Sequence, residues 1–199
     1  MADLEKTRKN LEGRGFRVHR FASGAEAAEF LVQTLHGTSI GIGGSVTIDT
    51  LGVYDRLCGS NEVFWHWKNY APETRERAGK AETYLCSANG VSENGEIVNI
   101  DGFGNRVAGT IYGPERVFLV VGRNKIAPDL TGAIDRARNI AAPLNARRLN
   151  RHTPCAVGEP RCRDCRSPEK VCGVMTVFFM PPTSIKEFHV ILVDEDLGY

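Results

Sequence analysis

The chain of 199 residues lacks any long apolar stretch. Its hydrophobic runs are far shorter than the roughly 20 residues that a helix needs to cross a bilayer. Residues 1–8 are largely charged, whereas a secretory signal peptide needs an apolar segment near its N-terminus. These absences predict a protein without a membrane span that is located in the cytoplasm.

The chain also lacks an excess of charge of one sign. Its 25 Lys and Arg residues balance 24 Asp and Glu residues, which leaves a formal net charge of +1 at pH 7. Because electrostatic attraction to nucleic acid needs a basic surface, the composition predicts no nucleic-acid partner. Internal repeats and low-complexity tracts are absent as well, and a hydrophobic content of 42% is ordinary for a globular protein.

Helical patterns recur along the chain. A capping box precedes a predicted helix over 24–35, and a further helix is predicted over 48–57. A long amphipathic helix is predicted over 129–149, and Pro143 is expected to break or kink it because proline cannot donate the helical hydrogen bond.

Extended patterns alternate with these helices. The apolar run 116–122 predicts a strand buried on both faces. Two Asn-Gly pairs predict a hairpin between strands over 81–87 and 96–100, and two closing strands are predicted over 174–180 and 188–193.

The alternation of strands and helices predicts an α/β fold. The hairpin in the middle indicates that the sheet, flanked by helices, is mixed rather than purely parallel. We divide the chain into an α/β core over 1–150, a cysteine-rich metal-binding loop over 151–173, and a segment over 174–199 with the closing strands of the same domain.

Four of the six cysteines fall within 18 residues. Cys155, Cys162, Cys165 and Cys172 follow the spacing C-x6-C-x2-C-x6-C, in a segment with few large apolar residues. Such a segment cannot form its own hydrophobic core, so a metal or a pair of disulfides must hold it if it is ordered. Four converging thiolates suit a zinc ion or a [4Fe–4S] cluster.

A metal is favoured over disulfides because the cytoplasm keeps thiols reduced. The spacing fits neither the usual zinc ribbon nor the bacterial ferredoxin pattern, so it predicts the number of ligands but not the metal. Positive charge at Arg161, Arg163, Arg166 and Lys170 would offset the negative charge of four thiolates and raise the reduction potential. The structural alternative is four reduced cysteines without a metal.

A glycine-rich segment follows a short apolar strand pattern. Gly43, Gly44, Ser45 and Thr47 stand between this strand and the next helix pattern. Glycine lets backbone N–H groups approach an anion, and the two hydroxyls add donors. The segment matches neither GxGxxG nor the P-loop. It predicts either an anion pocket or a tight strand-to-helix turn.

A second polar cluster lies in a glycine-rich turn over 101–106. Asp101, Asn105 and Arg106 follow a strand pattern, and Asn89 is assigned to the same ligand pocket. Arg106 can bind a carboxylate or phosphate as a bidentate fork. The structural alternative is an Asp–Arg pair that rigidifies the turn.

Glu93 lies at the tip of the predicted hairpin. A carboxylate there can act as a nucleophile or a base if the tip folds over a pocket. The alternative is a solvated residue in a turn.

Several of these segments together resemble the LUD family of the lactate-utilisation protein C type, also called DUF162. The resemblance extends over nearly the whole chain, and the run from Thr153 to Cys172 resembles the form of the family with a C-terminal cysteine cluster. The other matching segments are 43–47, 87–95, 98–107, 121–126 and 141–146.

The resemblance implies the fold shared by ribose-phosphate isomerase, glucosamine-phosphate deaminase and CoA-transferases. It also implies a role in the oxidation of lactate or a similar small organic acid, as an accessory or electron-transfer component alongside iron–sulfur proteins. A [4Fe–4S] cluster on the four cysteines is then the expected cofactor, with zinc as the alternative. Catalysis by this protein alone and homo-oligomer formation both stay open.

Two other hypotheses remain. Ser92-Glu93-Asn94-Gly95 is similar to the signature of CoA-transferases, whose glutamate carries the acyl group, so Glu93 is the candidate nucleophile of a CoA- or acyl-transferring enzyme. The third hypothesis is a zinc-stabilised interaction module, in which the metal contributes to folding.

Overall fold

The computed structural model describes residues 3–199. Met1 and Ala2, the first residues of the predicted core, lie outside the described residues. Six strands form one sheet in the order β1-β10-β7-β4-β2-β3, and every neighbouring pair is parallel. These strands are β1 (Arg17–Phe21), β2 (Ser39–Ile42), β3 (Glu62–Trp65), β4 (Thr83–Ser87), β7 (Arg116–Gly122) and β10 (Glu187–Val193).

A smaller sheet has four strands in the order β8-β5-β6-β9. Its β5–β6 and β6–β9 pairs are antiparallel, and its β5–β8 pair is parallel. The strands are β5 (Gly90–Ser92), β6 (Ile97–Asp101), β8 (Ile126–Ala127) and β9 (Val174–Phe178).

Helices occupy the connections between the strands and cover both faces of the parallel sheet. A 3-10 turn spans Arg123–Lys125, and a π-helical turn spans Ala137–Ala141. The α-helices are α1 (Leu4–Gly13), α2 (Gly24–Thr34), α3 (Val46–Leu51), α4 (Tyr54–Cys58), α5 (Thr74–Lys80), α6 (Asn105–Ile111), α7 (Leu130–Arg136), α8 (Ala142–Arg148) and α9 (Pro154–Val157).

Strand β7 is buried on both faces, as predicted. Val117, Leu119 and Val121 face one hydrophobic cluster, which also receives side chains from the smaller sheet. Phe118 and Val120 face the opposite cluster, which is formed with α2, α3 and α4. The alternation follows from the two-residue period of a strand, so a strand between two layers needs apolar residues at every position.

The α/β fold with flanking helices is confirmed. The antiparallel pairs, predicted within one mixed sheet, lie in the separate four-stranded sheet, while the six-stranded sheet is parallel throughout. The closing strands also divide between the sheets, because β9 lies at an edge of the smaller one and β10 lies between β1 and β7.

Four local predictions were wrong. The hairpin predicted between strands over 81–87 and 96–100 instead joins β5 and β6, because β4 pairs with β2 and β7 in the parallel sheet. The helix predicted over 48–57 is two helices, because Gly52 ends α3 with a left-handed φ of 64°. The helix predicted over 129–149 is interrupted by the π-helical turn, and Pro143 lies in the first turn of α8, where its missing N–H costs no helical bond. The turn predicted over 101–106 is shorter, since α6 begins at Asn105.

No helix within residues 3–199 is both long enough and apolar enough to span a membrane.

Two histidines pair on the face of the parallel sheet that packs against α2. The Nε2 atom of His19 lies 3.0 Å from the Nδ1 atom of His189, so one ring donates and the other accepts. Burial lowers the pKa of both side chains, and it also lowers the pKa of His66. The unfolded chain therefore binds more protons than the folded one as the pH falls below about 6.5.

We accordingly predict a lower urea midpoint at pH 5.5 than at pH 7.5, in a range where carboxylates hardly titrate. His189→Gln should reduce this difference, because it removes one of the buried groups that must be protonated. His36→Gln is the matched control, since His36 is exposed. Equal midpoints at the two pH values for the unmutated protein would contradict the assignment.

Candidate functional site

A cleft of about 770 Å³ lies at the carboxyl ends of several parallel strands. Gly44 follows β2, Ser87 ends β4, and Lys125 lies three residues beyond the end of β7. Because the carboxyl ends of parallel strands meet at one edge, open α/β sheets bind ligands there. The second sheet forms another wall through Ile100 and Asp101.

The predicted glycine-rich segment lies at this edge. A Cβ on Gly43 would stand 2.9 Å from Cγ of Arg106 and 3.0 Å from the Tyr84 hydroxyl, so only glycine fits there without displacing neighbours. Ser45 caps α3 by accepting a hydrogen bond from the Ile48 N–H at 3.3 Å. The segment is thus a strand-to-helix turn whose residues 44–47 also line the cleft.

The Asp101 carboxylate caps α6. It accepts hydrogen bonds from the backbone N–H groups of Arg106 at 3.0 Å and Val107 at 3.2 Å. Asn105 lines the cleft, and its carbonyl accepts a hydrogen bond from the Tyr84 hydroxyl at 3.2 Å. The turn is therefore rigidified through backbone donors rather than through a side-chain pair between Asp101 and Arg106.

The Arg106 guanidinium is held by neutral oxygens. It donates to the Asn89 side chain at 2.7 Å, to the Asn99 side chain at 2.8 Å and to the Ser87 carbonyl at 3.1 Å. A further bond reaches the Ile100 carbonyl. These bonds fix the position of the charge but supply no opposite charge, so the field of the guanidinium extends into the cleft that it lines.

Lys125 is a cleft residue that the sequence interpretation did not single out. It is 2% exposed, and its Nζ atom lies 2.8 Å from Thr47 Oγ1, 2.8 Å from Ser87 Oγ and 3.2 Å from the Ala88 carbonyl. Burial lowers its pKa well below the usual 10.5, and Arg136 and Arg106 lower it further. The available sequence signal was its position just after the most continuous apolar strand.

Positive charge dominates the cleft although the chain is nearly neutral. Arg136, almost fully buried behind Lys125, donates only to the carbonyls of Asn124 and Asn89. The acidic lining residues are Asp101 and Glu169. The lining residues with basic side chains are Arg75, Arg106, Lys125, Arg148, Arg151 and Lys170. Such a cleft attracts anions, because buried charge without a partner is unfavourable until an anion binds.

The four clustered cysteines line a second cavity of about 330 Å³. All six cysteines of the chain are free thiols, so the disulfide alternative is not realised among residues 3–199. Burial raises the pKa of Cys172, and the other three clustered thiols raise it further. The four thiols are thus close enough for the charge of one to affect the pKa of another, and they line the same cavity.

In the described part of the chain, the thiols do not form a ready-made site for a metal ion. Among residues 3–199, no three Cys, His, Asp or Glu side chains are close enough to hold one metal ion. The apolar walls of the cavity, which include Ile134 and Met175, suit a cluster shielded from water.

Hydrogen-bond donors to sulfur are already present. Cys162 Sγ accepts from the Arg138 guanidinium at 3.6 Å and from the Asp164 N–H at 3.4 Å, and the Thr153 hydroxyl lies 3.3 Å from Cys155 Sγ. Such contacts stabilise thiolate ligands and raise the potential of an iron–sulfur centre. The four cysteines are thus the residues that would hold a cluster.

The cleft and the cysteine cavity share a wall. Ile100, Ala142, Lys170 and Val171 line both. The fit between loop and sheet is close at one point, because a Cβ on Gly102 would stand 2.8 Å from Cα of Val171. A metal centre in the cysteine cavity would therefore be separated from a ligand in the cleft by a wall only one residue thick.

Glu93 lies outside both cavities. Its carboxylate accepts hydrogen bonds from the Asp3 N–H at 3.0 Å and from Lys6 Nζ at 3.1 Å, and these contacts lower its pKa. The structure thus brings Glu93 against α1 and does not bring it together with the other predicted site residues.

The fold and the site define an α/β protein with a ligand cleft at the carboxyl edge of its parallel sheet. Comparison with known families and structures agrees with this fold. The LUD domain matches residues 4–193, and the chain belongs to the LUD-domain family. A crystal structure of a DUF162 family protein from Deinococcus radiodurans has a similar fold, with a TM-score of 0.56, 14% sequence identity, and coverage of 96% of this chain and 95% of that one. No curated protein matches the sequence.

We predict that Gly43→Ala destabilises the protein by about 1–3 kcal/mol, because overpacking displaces buried side chains. The added methyl group would push against Arg106, so anion binding in the cleft should weaken as well. Gly79→Ala is the matched control, because nothing lies within 4 Å of its added Cβ. Urea unfolding measures the first effect, and an unchanged midpoint for Gly43→Ala would contradict the close contact.

Proposed function

We propose that this LUD-domain protein is an iron–sulfur accessory or electron-transfer component in the oxidation of lactate or a similar small organic acid. The observation that carries the proposal is the wall shared by the cation-lined cleft and the cysteine cavity. A [4Fe–4S] cluster, when bound, exchanges single electrons at low cost in reorganisation.

The cleft supports an acidic ligand. Arg106 lies at its floor, and the carbonyl and amide oxygens that hold its guanidinium carry no negative charge. A carboxylate entering the cleft would supply the missing charge and would be favoured over a neutral molecule of the same size.

The cysteine loop supports the cluster. Cys155, Cys162, Cys165 and Cys172 supply the thiolates, and the Arg138 guanidinium and the Asp164 N–H stabilise negative charge on Cys162. Lys170 lies in the shared wall and donates to the Cys165 carbonyl at 3.4 Å. It therefore places one positive charge between the two cavities.

Electrons must leave through a partner, because one cluster stores fewer electrons than the oxidation of a hydroxy acid releases. The partners we propose are other iron–sulfur proteins. A reducing compartment such as the cytoplasm is the proposed location, since it keeps the four thiols available for a cluster.

Anaerobic purification followed by iron, zinc and acid-labile sulfide analysis tests the cofactor. We expect iron and sulfide in nearly equal amounts, with a broad absorbance band in the blue. Cys162→Ser or Cys165→Ser should lose most of both, whereas Cys58→Ser should keep them, because Cys58 is exposed and outside the cysteine cavity. Zinc without sulfide would instead support the zinc-stabilised interaction module.

Electron paramagnetic resonance of the reduced protein tests the coupling of the two cavities. We expect lactate to change the cluster spectrum, because its carboxylate would bind beside the shared wall. Chloride at the same ionic strength is the control. A cluster whose spectrum is indifferent to a series of hydroxy acids would contradict the assignment of the cleft to such substrates.

A further inference from the structure

Ser87 and Lys125 form a close pair at the floor of the cleft, and nothing in the proposed electron transfer uses them as a pair. Ser87 Oγ lies 2.8 Å from Lys125 Nζ, both residues line the cleft, and both are almost completely buried. A serine within hydrogen-bond distance of a basic group is the arrangement that activates a hydroxyl as a nucleophile.

The Ser87 hydroxyl has two partners, since it donates to the Ala88 carbonyl at 3.3 Å and lies 2.8 Å from Lys125 Nζ. The Thr47 hydroxyl donates to the Leu197 carbonyl at 3.2 Å, so its oxygen is free to accept from Lys125. The Ala88 carbonyl can only accept. A neutral amine has two N–H donors and one lone pair. With Thr47 and Ala88 receiving the two N–H groups of a neutral amine, its lone pair is available to the Ser87 proton once the hydroxyl turns away from the Ala88 carbonyl.

The charges around Lys125 favour this neutral state. The facing ionisable groups are Arg106 from α6, Arg136 from α7 and the buried thiol of Cys86 in β4. The two guanidiniums oppose a third positive charge. Burial raises the pKa of Cys86 to about 12, so this thiol brings no negative charge near neutral pH.

We propose that Ser87 and Lys125 form a serine–lysine dyad that transfers or hydrolyses acyl groups. The substrate class is an activated ester or thioester of a small organic acid, with an anionic group elsewhere in the molecule that the cationic cleft binds. This activity goes beyond electron transfer and does not depend on a cluster.

The reaction balances with water as the only co-reactant. Ser87 Oγ attacks the acyl carbon and forms a C–O bond while its proton passes to Lys125 Nζ. The bond to the alcohol or thiol leaving group breaks, and the leaving group takes that proton. Water then attacks the acyl-serine, loses a proton to Lys125, and releases the organic acid as Ser87 recovers its hydrogen.

Labelling with a fluorophosphonate, a reagent that phosphonylates activated serines, tests the dyad on the whole protein. We expect one adduct, located on Ser87 by peptide mass analysis, together with hydrolysis of p-nitrophenyl acetate. Ser87→Ala should abolish both, and Ser184→Ala, at an exposed serine distant from the cleft, should change neither. Lys125→Met should slow labelling by about 100-fold or more.

The pH profile separates a dyad from a merely structural serine. The labelling rate should rise with pH and reach half its maximum well below 10.5, the usual lysine pKa, because the amine must be neutral. Ser87→Cys offers a second readout, since a thiol beside Lys125 should react with iodoacetamide at neutral pH although it is buried. Absence of a Ser87 adduct, or labelling that survives Ser87→Ala, would overturn the proposal, whatever the metal content.

Discussion

The hydrogen bonds of Arg106 join the two sheets, and the site depends on them. One terminal nitrogen of the guanidinium donates to the Ser87 carbonyl at the end of β4 and to the Asn99 side chain in β6, and the other donates to the Ile100 carbonyl in β6. Asn89, in the connection between the sheets, accepts from the same guanidinium and from the Ile100 N–H at 2.9 Å. The cleft lies between this network of hydrogen bonds and the carboxyl ends of the parallel strands. The same bonds that orient the sheets therefore place positive charge at the cleft floor.

This junction explains why no carboxylate neutralises the buried cations. Backbone carbonyls accept both hydrogen bonds of Arg136, and backbone and amide oxygens accept those of Arg106. Neutral acceptors stabilise the geometry while leaving the charge available to a ligand. A salt bridge in the same place would hold the sheets equally well but would remove the attraction for an anion.

Much of the architecture followed from local patterns in the sequence. The apolar run of β7 predicted correctly a strand buried on both faces. The Asn-Gly pairs indicated a hairpin in the right region, but the wrong first strand was assigned to it, since β5 and not β4 pairs with β6. The division into two sheets was not predictable, because it depends on long-range pairing such as that of β6 with β9, which no local pattern encodes. The break in the helix at Ala137–Ala141 was also missed, since its residues have ordinary helical propensity.

The candidate site was likewise predictable from the sequence only in part. The cysteines and the segment 43–47 were visible as motifs, and the structure places each group around its own cavity. Lys125 was not visible, because a single lysine after a strand is normally solvent-exposed. Its contacts form only in the folded protein, where the turn after β2 places Thr47, and the end of β4 places Ser87, beside its amine. Glu93 belongs to a recognisable motif but lies outside both cavities, because its carboxylate binds Asp3 and Lys6 at the start of α1.

The π-helical turn between α7 and α8 has a consequence for how the two cavities are divided. An inserted residue in a helix rotates everything after it by about 100°, because each residue advances the helix by that angle. Ile134 and Arg138, before and within the turn, face the cysteine cavity. Helix α8 beyond the turn lines both compartments, with Pro143 and Ala146 on the cysteine side and Asn145 on the cleft side. Helix α8 is therefore a partition whose two faces belong to different compartments. A substitution on one face alters the thiol-lined or the cation-lined compartment separately.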